Sequence, residues 1–570
     1  KELAVSVPKN DLWIEPDNIK DSEKDAAIET LSKILELDKE EIKKSLTSGK
    51  KRFALAKNID SDKVKKIREA KISGIWFEQS SRRYYPYGKF ASYVIGHVSN
   101  ENVGLAGVEA SFNTYLKGIP GREIFIKDAR NREISTNSLS YNEPVNGRNL
   151  ILTIDEVIQH HMERAVEQAL VDNNAKRVIA IAMDPQTGDI LGMVSKPDYD
   201  PNDSRTPLYP LFQEKIDAAL SDEEKLKELY TMWRNPAVND IYEPGSPFKV
   251  VTASAALEEG LVYPEEWFND IGYTEVAGRK IKNWTSKPFG SITFTKAVEQ
   301  SVNSTFIQIA QRLGAQKFTE YITAFGLGKP TGIALPGEGV GMQYTVSKMG
   351  PVELATTSFG QSISVTPIQM VSAISAVAND GKLMKPRIVK EVTDENGEIV
   401  ESFEPEVVKR AVSKTTADQM LAIMESVVAN GSGSATKIDG YRIGGKTGTA
   451  QKVIDGKYQS GYYIASFAAV APIEDPQVAL LVIVDEPKGA SYFGSTVSGP
   501  VVRQIMQDIL RYLGVKPNAQ AVIENNDSKI VIPEIRNNKE NYDKLGFYVF
   551  DEHMNKIWGS EFSMPYTEAI

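Results

Sequence analysis

The sequence predicts an α+β fold, in which an antiparallel sheet is assembled from both ends of the main domain and helices fill the interval. Three observations lead there. Residues 177–183 and 189–194 are β-rich runs joined by Asp184-Pro185-Gln186-Thr187-Gly188, a hairpin-type turn signal. Residues 462–470 and 478–484 form a second strand pair, much later in the chain, around Pro472 and Pro476. Between the pairs lie long helical patterns, and a last helix opens at Pro500 with Val502, Ile505, Met506, Ile509, Leu510 and Leu513 on one face.

A chain of 570 residues is too long for one core. The texture divides it into an N-terminal module (residues 1–147), a main domain (148–516) and a short tail (517–570). In the first module Ala27, Leu31, Ile34 and Leu35 mark one helix, and Ile42 and Leu46 mark a second. Glycine-punctuated turns follow at Gly104-Leu105-Ala106-Gly107 and Gly118-Ile119-Pro120-Gly121. The tail carries strand-like Ile530-Val531-Ile532, then Pro533, and a short helical pattern over 539–545; it reads equally as a binding module or a spacer.

Composition removes several function classes. The net charge of −10 leaves no basic face for nucleic acid. Cysteine is absent, so there is neither a thiolate nucleophile nor a thiolate metal site. Four histidines, His97, His160, His161 and His553, contain no HExxH pair, and no metal or cofactor is expected. His160 and His161 are helix neighbours pointing about 100° apart, which fits a helix face better than a metal site. No apolar run reaches the roughly 18 residues of a membrane span, and the chain starts at Lys1, as a soluble piece of a longer anchored protein would.

The chemistry centres on Glu243-Pro244-Gly245-Ser246-Pro247-Phe248-Lys249. Ser-x-x-Lys also occurs at Ser6, Ser48 and Ser434, in proline-broken or glycine-rich settings, and only Ser246 opens a helical run. Residues i and i+3 share a helix face, so Lys249 is placed to reach the Ser246 hydroxyl. A serine is a weak nucleophile until a neighbour takes its proton, and a lysine can do that only when partly neutral. Burial and a second cation both favour the neutral form.

Ser301-Val302-Asn303 follows 55 residues after Ser246, and Lys446-Thr447-Gly448-Thr449 begins 200 residues after it. Ser-x-x-Lys, Ser-Asp-Asn and Lys-Thr-Gly are the joint signature of class A β-lactamases and penicillin-binding proteins; here Val302 replaces the Asp. Ser301 can relay a proton, and the Asn303 amide can hold a substrate amide. The segment Gly440–Thr447 also matches the phosphate-loop pattern, but Gly448 follows at once and the sequence turns β-like, whereas a phosphate loop needs a helix there. Gly337-Glu338-Gly339-Val340-Gly341 reads as a loop rather than a dinucleotide site.

On these motifs the chain resembles a class B penicillin-binding protein, a peptidoglycan D,D-transpeptidase. Asn283-Trp284, Gly360-Gln361-Ser362, Thr366-Pro367, Gln369 and Thr449-Ala450-Gln451 add to the likeness. In the first module Arg83-Tyr84-Tyr85-Pro86 and Gly104-Leu105-Ala106-Gly107-Val108-Glu109 resemble the family's pedestal, or dimerisation, domain. The tail faintly resembles a partial PASTA domain.

The resemblance implies the transpeptidase fold shared with serine β-lactamases, an antiparallel sheet flanked by helices. It implies Ser246 as nucleophile on stem peptides ending in D-Ala-D-Ala, Lys249 as base, and Ser301, Asn303 and Lys446 in the catalytic set. Thr447, Gly448, Thr449 and Trp284 would bind substrate, with the N–H groups of Ser246 and Thr449 as the oxyanion hole. β-Lactams would acylate Ser246. A membrane helix upstream of Lys1, a membrane glycan polymerase as partner and a place on the extracytoplasmic face of the bacterial membrane are further expectations. A β-lactam hydrolase or D,D-carboxypeptidase on the same fold, and a non-catalytic wall-binding scaffold, are the alternatives; the septal, elongation or sporulation stage stays open.

Overall fold

The computed structural model describes residues 1–124, 140–454 and 456–517 together with the strands Leu545–Phe550 and Lys556–Phe562. In the first module, β1 (Val5–Ile14) is sandwiched antiparallel between β2 (Phe53–Ile59) and β3 (Ile75–Tyr84). Helices α1 (Asp21–Leu35), α2 (Lys39–Leu46) and α3 (Ser61–Glu69) accompany this sheet. Leu12, Ile14, Leu31, Ile42, Ile59 and Ile67 meet in one small core. Of the expected α1 stripe, Ala27 and Leu31 are buried while Ile34 and Leu35 are half-buried against that core. Asp38 caps α2 by accepting from Glu40 and Glu41 N–H, satisfying donors that the helix start leaves orphaned.

The main domain is built on a five-stranded antiparallel sheet. Its strands are β4 (Arg177–Met183), β5 (Ile190–Lys196), β6 (Gly444–Ile454), β7 (Lys457–Ala471) and β8 (Val478–Asp485), in the order β6-β7-β8-β4-β5. Sequence-distant halves therefore meet where β8 pairs with β4, through Ala479 to Met183 and Asp485 to Arg177. Both faces are covered, and the period-2 alternation of strands shows in which core each residue joins. Val178, Ala180 and Ala182 pack towards α4 (Glu156–Asp172) and the last helix (Gly499–Tyr512); Ile179, Ile181 and Met183 pack towards the helices of the insert.

Within the insert, the helix Lys249–Glu258 is buried at every residue except Glu258, so it is enclosed on all sides. Pro367–Ala378 is likewise fully buried, opened by a capping box between Thr366 and Gln369. The resemblance segments of the first module interlock at the junction. Arg83 Nε donates to the buried Glu109 carboxylate over 2.6 Å, and Asn202 exchanges two hydrogen bonds with the Tyr85 backbone at 3.0 and 2.9 Å.

His160 and His161 lie on α4, and the Gly337–Gly341 segment is a loop. In the tail, 530–532 and 539–544 lie outside the described residues, and Leu545 opens a strand paired with Lys556–Phe562. Among the described residues no helix is long and apolar enough to cross a membrane.

Candidate active site

The Ser246 segment starts from a glycine constraint. Gly245 has φ +59°, and its N–H donates to Gly360 O over 3.0 Å. Gly360, at φ +81°, must itself be glycine, because a Cβ there would stand 2.1 Å from Gly245 O. Sequence reading has Ser246 opening an α-helix. The observed first turn, Ser246–Phe248, is instead 3-10, because Phe248 N–H bonds back to Gly245 O over 3.0 Å; the α-helix begins at Lys249. The N-cap is Gly245, which has no side chain to cap the turn, and Ser246 lines the cavity.

Lys249 is fully buried. Its Nζ donates to Ser301 O (2.8 Å), Ser301 Oγ (3.1 Å) and Asn303 Oδ1 (2.7 Å). Ser301 Oγ donates in turn to Ser246 Oγ over 2.9 Å. Sequence spacing has Lys249 reaching Ser246 directly; the structure instead runs the hydrogen-bond connection through Ser301. Ser301 sits in the break between the helices Phe294–Glu299 and Asn303–Ala324, at φ +56°, a region costly for a non-glycine residue.

Lys446 and Thr447 lie inside β6, the edge strand of the sheet, where a phosphate loop would require the start of a helix; that reading is excluded. Lys446 is fully buried and donates to Thr447 O (3.3 Å) and Thr447 Oγ1 (3.4 Å). Thr447 Oγ1 lies 3.2 Å from Ser432 Oγ, and Thr449 Oγ1 accepts Gly494 N–H over 3.0 Å. Gly448 lets the strand run against the Ser246–Phe248 turn: a Cβ there would stand 2.3 Å from Ser466 Oγ and 2.6 Å from Pro247 Cδ. Trp284 stands half-exposed at the rim, its indole N–H donating to Gln300 O over 2.9 Å.

Burial first, and Lys446 second, hold Lys249 well below the ordinary lysine pKa. Burial alone pushes Lys446 down to about 7. Ser246, Ser301, Asn303, Thr447, Thr449 and Trp284 all line one cavity of about 670 Å³, with Lys249 and Lys446 buried behind its wall. Every side chain singled out in the sequence as catalytic or substrate-binding thus converges on one place, and Gly448 forms the strand beneath it.

A family model described as the penicillin binding protein transpeptidase domain matches residues 178–507, and a penicillin-binding protein dimerisation domain matches residues 1–152. The chain belongs to the class B penicillin-binding proteins. It is 39% identical over 514 residues to stage V sporulation protein D of Bacillus subtilis, covering 89% of this chain and 76% of that protein. It is 32% identical over 535 residues to the peptidoglycan D,D-transpeptidase FtsI of Escherichia coli, covering 92% and 84%. Penicillin binding protein 3 of Mycobacterium tuberculosis in its ampicillin complex matches with a TM-score of 0.66 at 28% identity, over 78% of this chain and 92% of that one. Penicillin binding protein 2X of Streptococcus thermophilus shares the fold, with a TM-score of 0.72 at 23% identity over 93% and 81%.

Sequence reading missed several parts of this penicillin-binding protein's site. Asp270, buried, accepts from Gly272 N–H (3.0 Å), Phe289 N–H (2.7 Å), Asn283 Nδ2 (2.9 Å) and Ser304 Oγ (2.6 Å), tying the segment before the second motif to the helix that carries Asn303. Burial works to raise its carboxyl, but those four donors outweigh it and lower the pKa. Glu243 accepts Ser362 N–H (2.9 Å) and the Tyr458 hydroxyl (3.2 Å), joining the loop before Ser246 to the Gly360 turn and the β6–β7 hairpin. Tyr463 stacks on Tyr492 with ring centroids 4.1 Å apart, and Phe493 meets Trp284 at 6.4 Å, giving the cavity an aromatic rim. No periodicity announces these residues; only Glu243 carried a signal, the Glu-Pro-Gly run before Ser246.

Proposed function

We propose that this chain crosslinks cell-wall stem peptides by a serine acyl-enzyme mechanism. Ser246 Oγ attacks the carbonyl of the penultimate D-Ala, and its proton passes by way of Ser301 to neutral Lys249. Collapse of the tetrahedral intermediate expels the terminal D-Ala as its amine, protonated from the same lysine–serine set, and leaves an ester on Ser246. An amine from a neighbouring stem then attacks that ester, forming the crosslink and returning the proton to Ser246.

The N–H groups of Ser246 and Thr449 form the oxyanion hole; among the described residues the Ser246 N–H has no hydrogen-bond acceptor. A donor of this kind is worth about 3 kcal/mol in the transition state. Thr447 and Thr449 hold the terminal carboxylate, Lys446 adds positive charge beside them, and Asn303 orients the donor amide. Gly448 permits close approach and Trp284 covers the rim. β-Lactams acylate Ser246 as substrate mimics.

The observation that carries this reading is the continuous hydrogen-bond path from a buried, pKa-lowered Lys249 through Ser301 to Ser246. Against a β-lactam hydrolase stands the cavity lining: among the described residues it includes no Asp or Glu to activate a deacylating water. The test is to incubate the protein with a peptide ending in D-Ala-D-Ala and an amine acceptor. Release of D-Ala with formation of the aminolysed product supports crosslinking; hydrolysed peptide alone would identify a carboxypeptidase.

The proposed organisation is a pedestal at 1–147, a transpeptidase domain at 148–516 and a tail at 517–570 related to PASTA domains. The family placement supports anchoring by a helix upstream of Lys1, work beside a membrane glycan polymerase on the extracytoplasmic face, and a division or sporulation role.

A further inference from the structure

One wall of the cavity is a basic hairpin, Tyr273–Val276 paired with Arg279–Lys282. Ile281 packs with Val276, Ile307 and Phe359, which seats the hairpin on the helix beginning at Asn303. Lys282 O accepts Asn303 Nδ2 over 3.2 Å, so the Lys282 backbone is fixed beside a residue of the proposed machinery. Lys282 is a lining residue of the cavity and is exposed, and among the described residues no carboxylate pairs with it. Its neighbour Lys280 differs, since it lies opposite Glu275 in the ladder and 4.8 Å over the Tyr273 ring. Lys282 is the one charged residue in the described lining. A tethered, unpaired ammonium at the rim of a carboxylate-free cavity favours an anionic ligand.

We infer that Lys282 recognises a second carboxylate on the donor peptide, upstream of the scissile D-Ala–D-Ala bond. The inference rests on the crosslinking reading above. The terminal carboxylate is provided for by Thr447 and Thr449 on β6, whereas Lys282 adjoins Asn303, where the donor amide enters. Substrates with a free side-chain carboxylate in the middle of the stem therefore bind in preference to the same peptides amidated there. An exposed pair of this kind supports a discrimination of about fivefold.

The test is competition against labelling by a fluorescent penicillin, using two synthetic pentapeptides that differ only in whether the third residue's side-chain carboxylate is free or amidated. The expected result is a roughly fivefold preference for the free acid in the native protein. That ratio falls to about one in Lys282→Gln, inverts in Lys282→Glu and returns in Lys282→Arg. Equal competition by both peptides in the native protein, a ratio unchanged in Lys282→Gln, or no competition by either peptide would overturn it. The penicillin adduct on Ser246, read by mass in the same samples, reports separately on the acyl-enzyme reading.

Discussion

Ser301 Oγ donates to Ser246 Oγ over 2.9 Å while accepting from Lys249 Nζ at 3.1 Å. In this polarity the lysine is the donor and the Ser246 proton faces away from it. A neutral amine can accept, and because both hydroxyls rotate freely the chain can reverse, carrying the Ser246 proton towards Lys249. Ser301 is thus the link whose loss separates the proposed nucleophile, Ser246, from the proposed base, Lys249.

Replacing Ser301 tests the link and its backbone separately. Both Ser301→Ala and Ser301→Gly remove the hydroxyl, and penicillin acylation is expected to slow by about 10²–10⁴ in each. At φ +56° glycine is the unstrained residue, so Ser301→Gly unfolds at higher denaturant than Ser301→Ala. Stopped-flow acylation and urea melts on the pair check both statements.

Lys249 acts only if it can lose a proton. Lys249→Arg keeps the charge but stays protonated at any accessible pH, so it is expected to acylate as poorly as Lys249→Met, about 10²–10⁴ below the native rate. Acylation by Lys249→Arg within tenfold of the native rate would remove the general base from the mechanism.

Stability should carry the signature of Lys446. Its pKa is about 7 in the folded protein against 10.5 as the ordinary value, so between those pH values the unfolded chain binds the extra proton and the native fold gains stability as pH rises. The shift corresponds to ~5 kcal/mol. Lys446→Met has no such titration, so its stability advantage over the native protein is expected to shrink from pH 7 to pH 10. Chemical denaturation at three pH values measures the difference, and a flat difference would contradict the burial effect.

Asp270→Ala should act on fold and site together. It strands the Phe289 and Gly272 N–H groups and frees Ser304 and Asn283, at a cost of about 2–5 kcal/mol. Because Ser304 adjoins Asn303, penicillin acylation slows even where the protein stays folded. Thermal melts and acylation rates on the same preparation decide it.

The sheet and the three motifs were legible because each rests on local sequence: buried strands as apolar runs, Ser246 and Lys249 one helical turn apart, Lys446 and Thr447 followed by a helix-breaking glycine. The relay through Ser301 was not legible in its geometry, since it depends on a left-handed backbone at a residue that gives no glycine signal. Asp270 and the stacked Tyr463 and Tyr492 were hidden for a related reason. Each works through partners distant in sequence, and a lone Asp at a strand end or a Tyr in a strand or loop carries no pattern that announces such partners. Lys282 reads in the sequence as one more surface lysine, and becomes distinctive only once the cavity beside it is seen to lack carboxylates.

The central claim, that Ser246 is the acylated nucleophile, is tested most directly by intact mass after incubation with penicillin. A single adduct of one penicillin per chain, stable over the incubation, located on Ser246 and absent from Ser246→Ala, is the expected result. A folded native protein that forms no adduct, or an adduct that persists in Ser246→Ala, would contradict it.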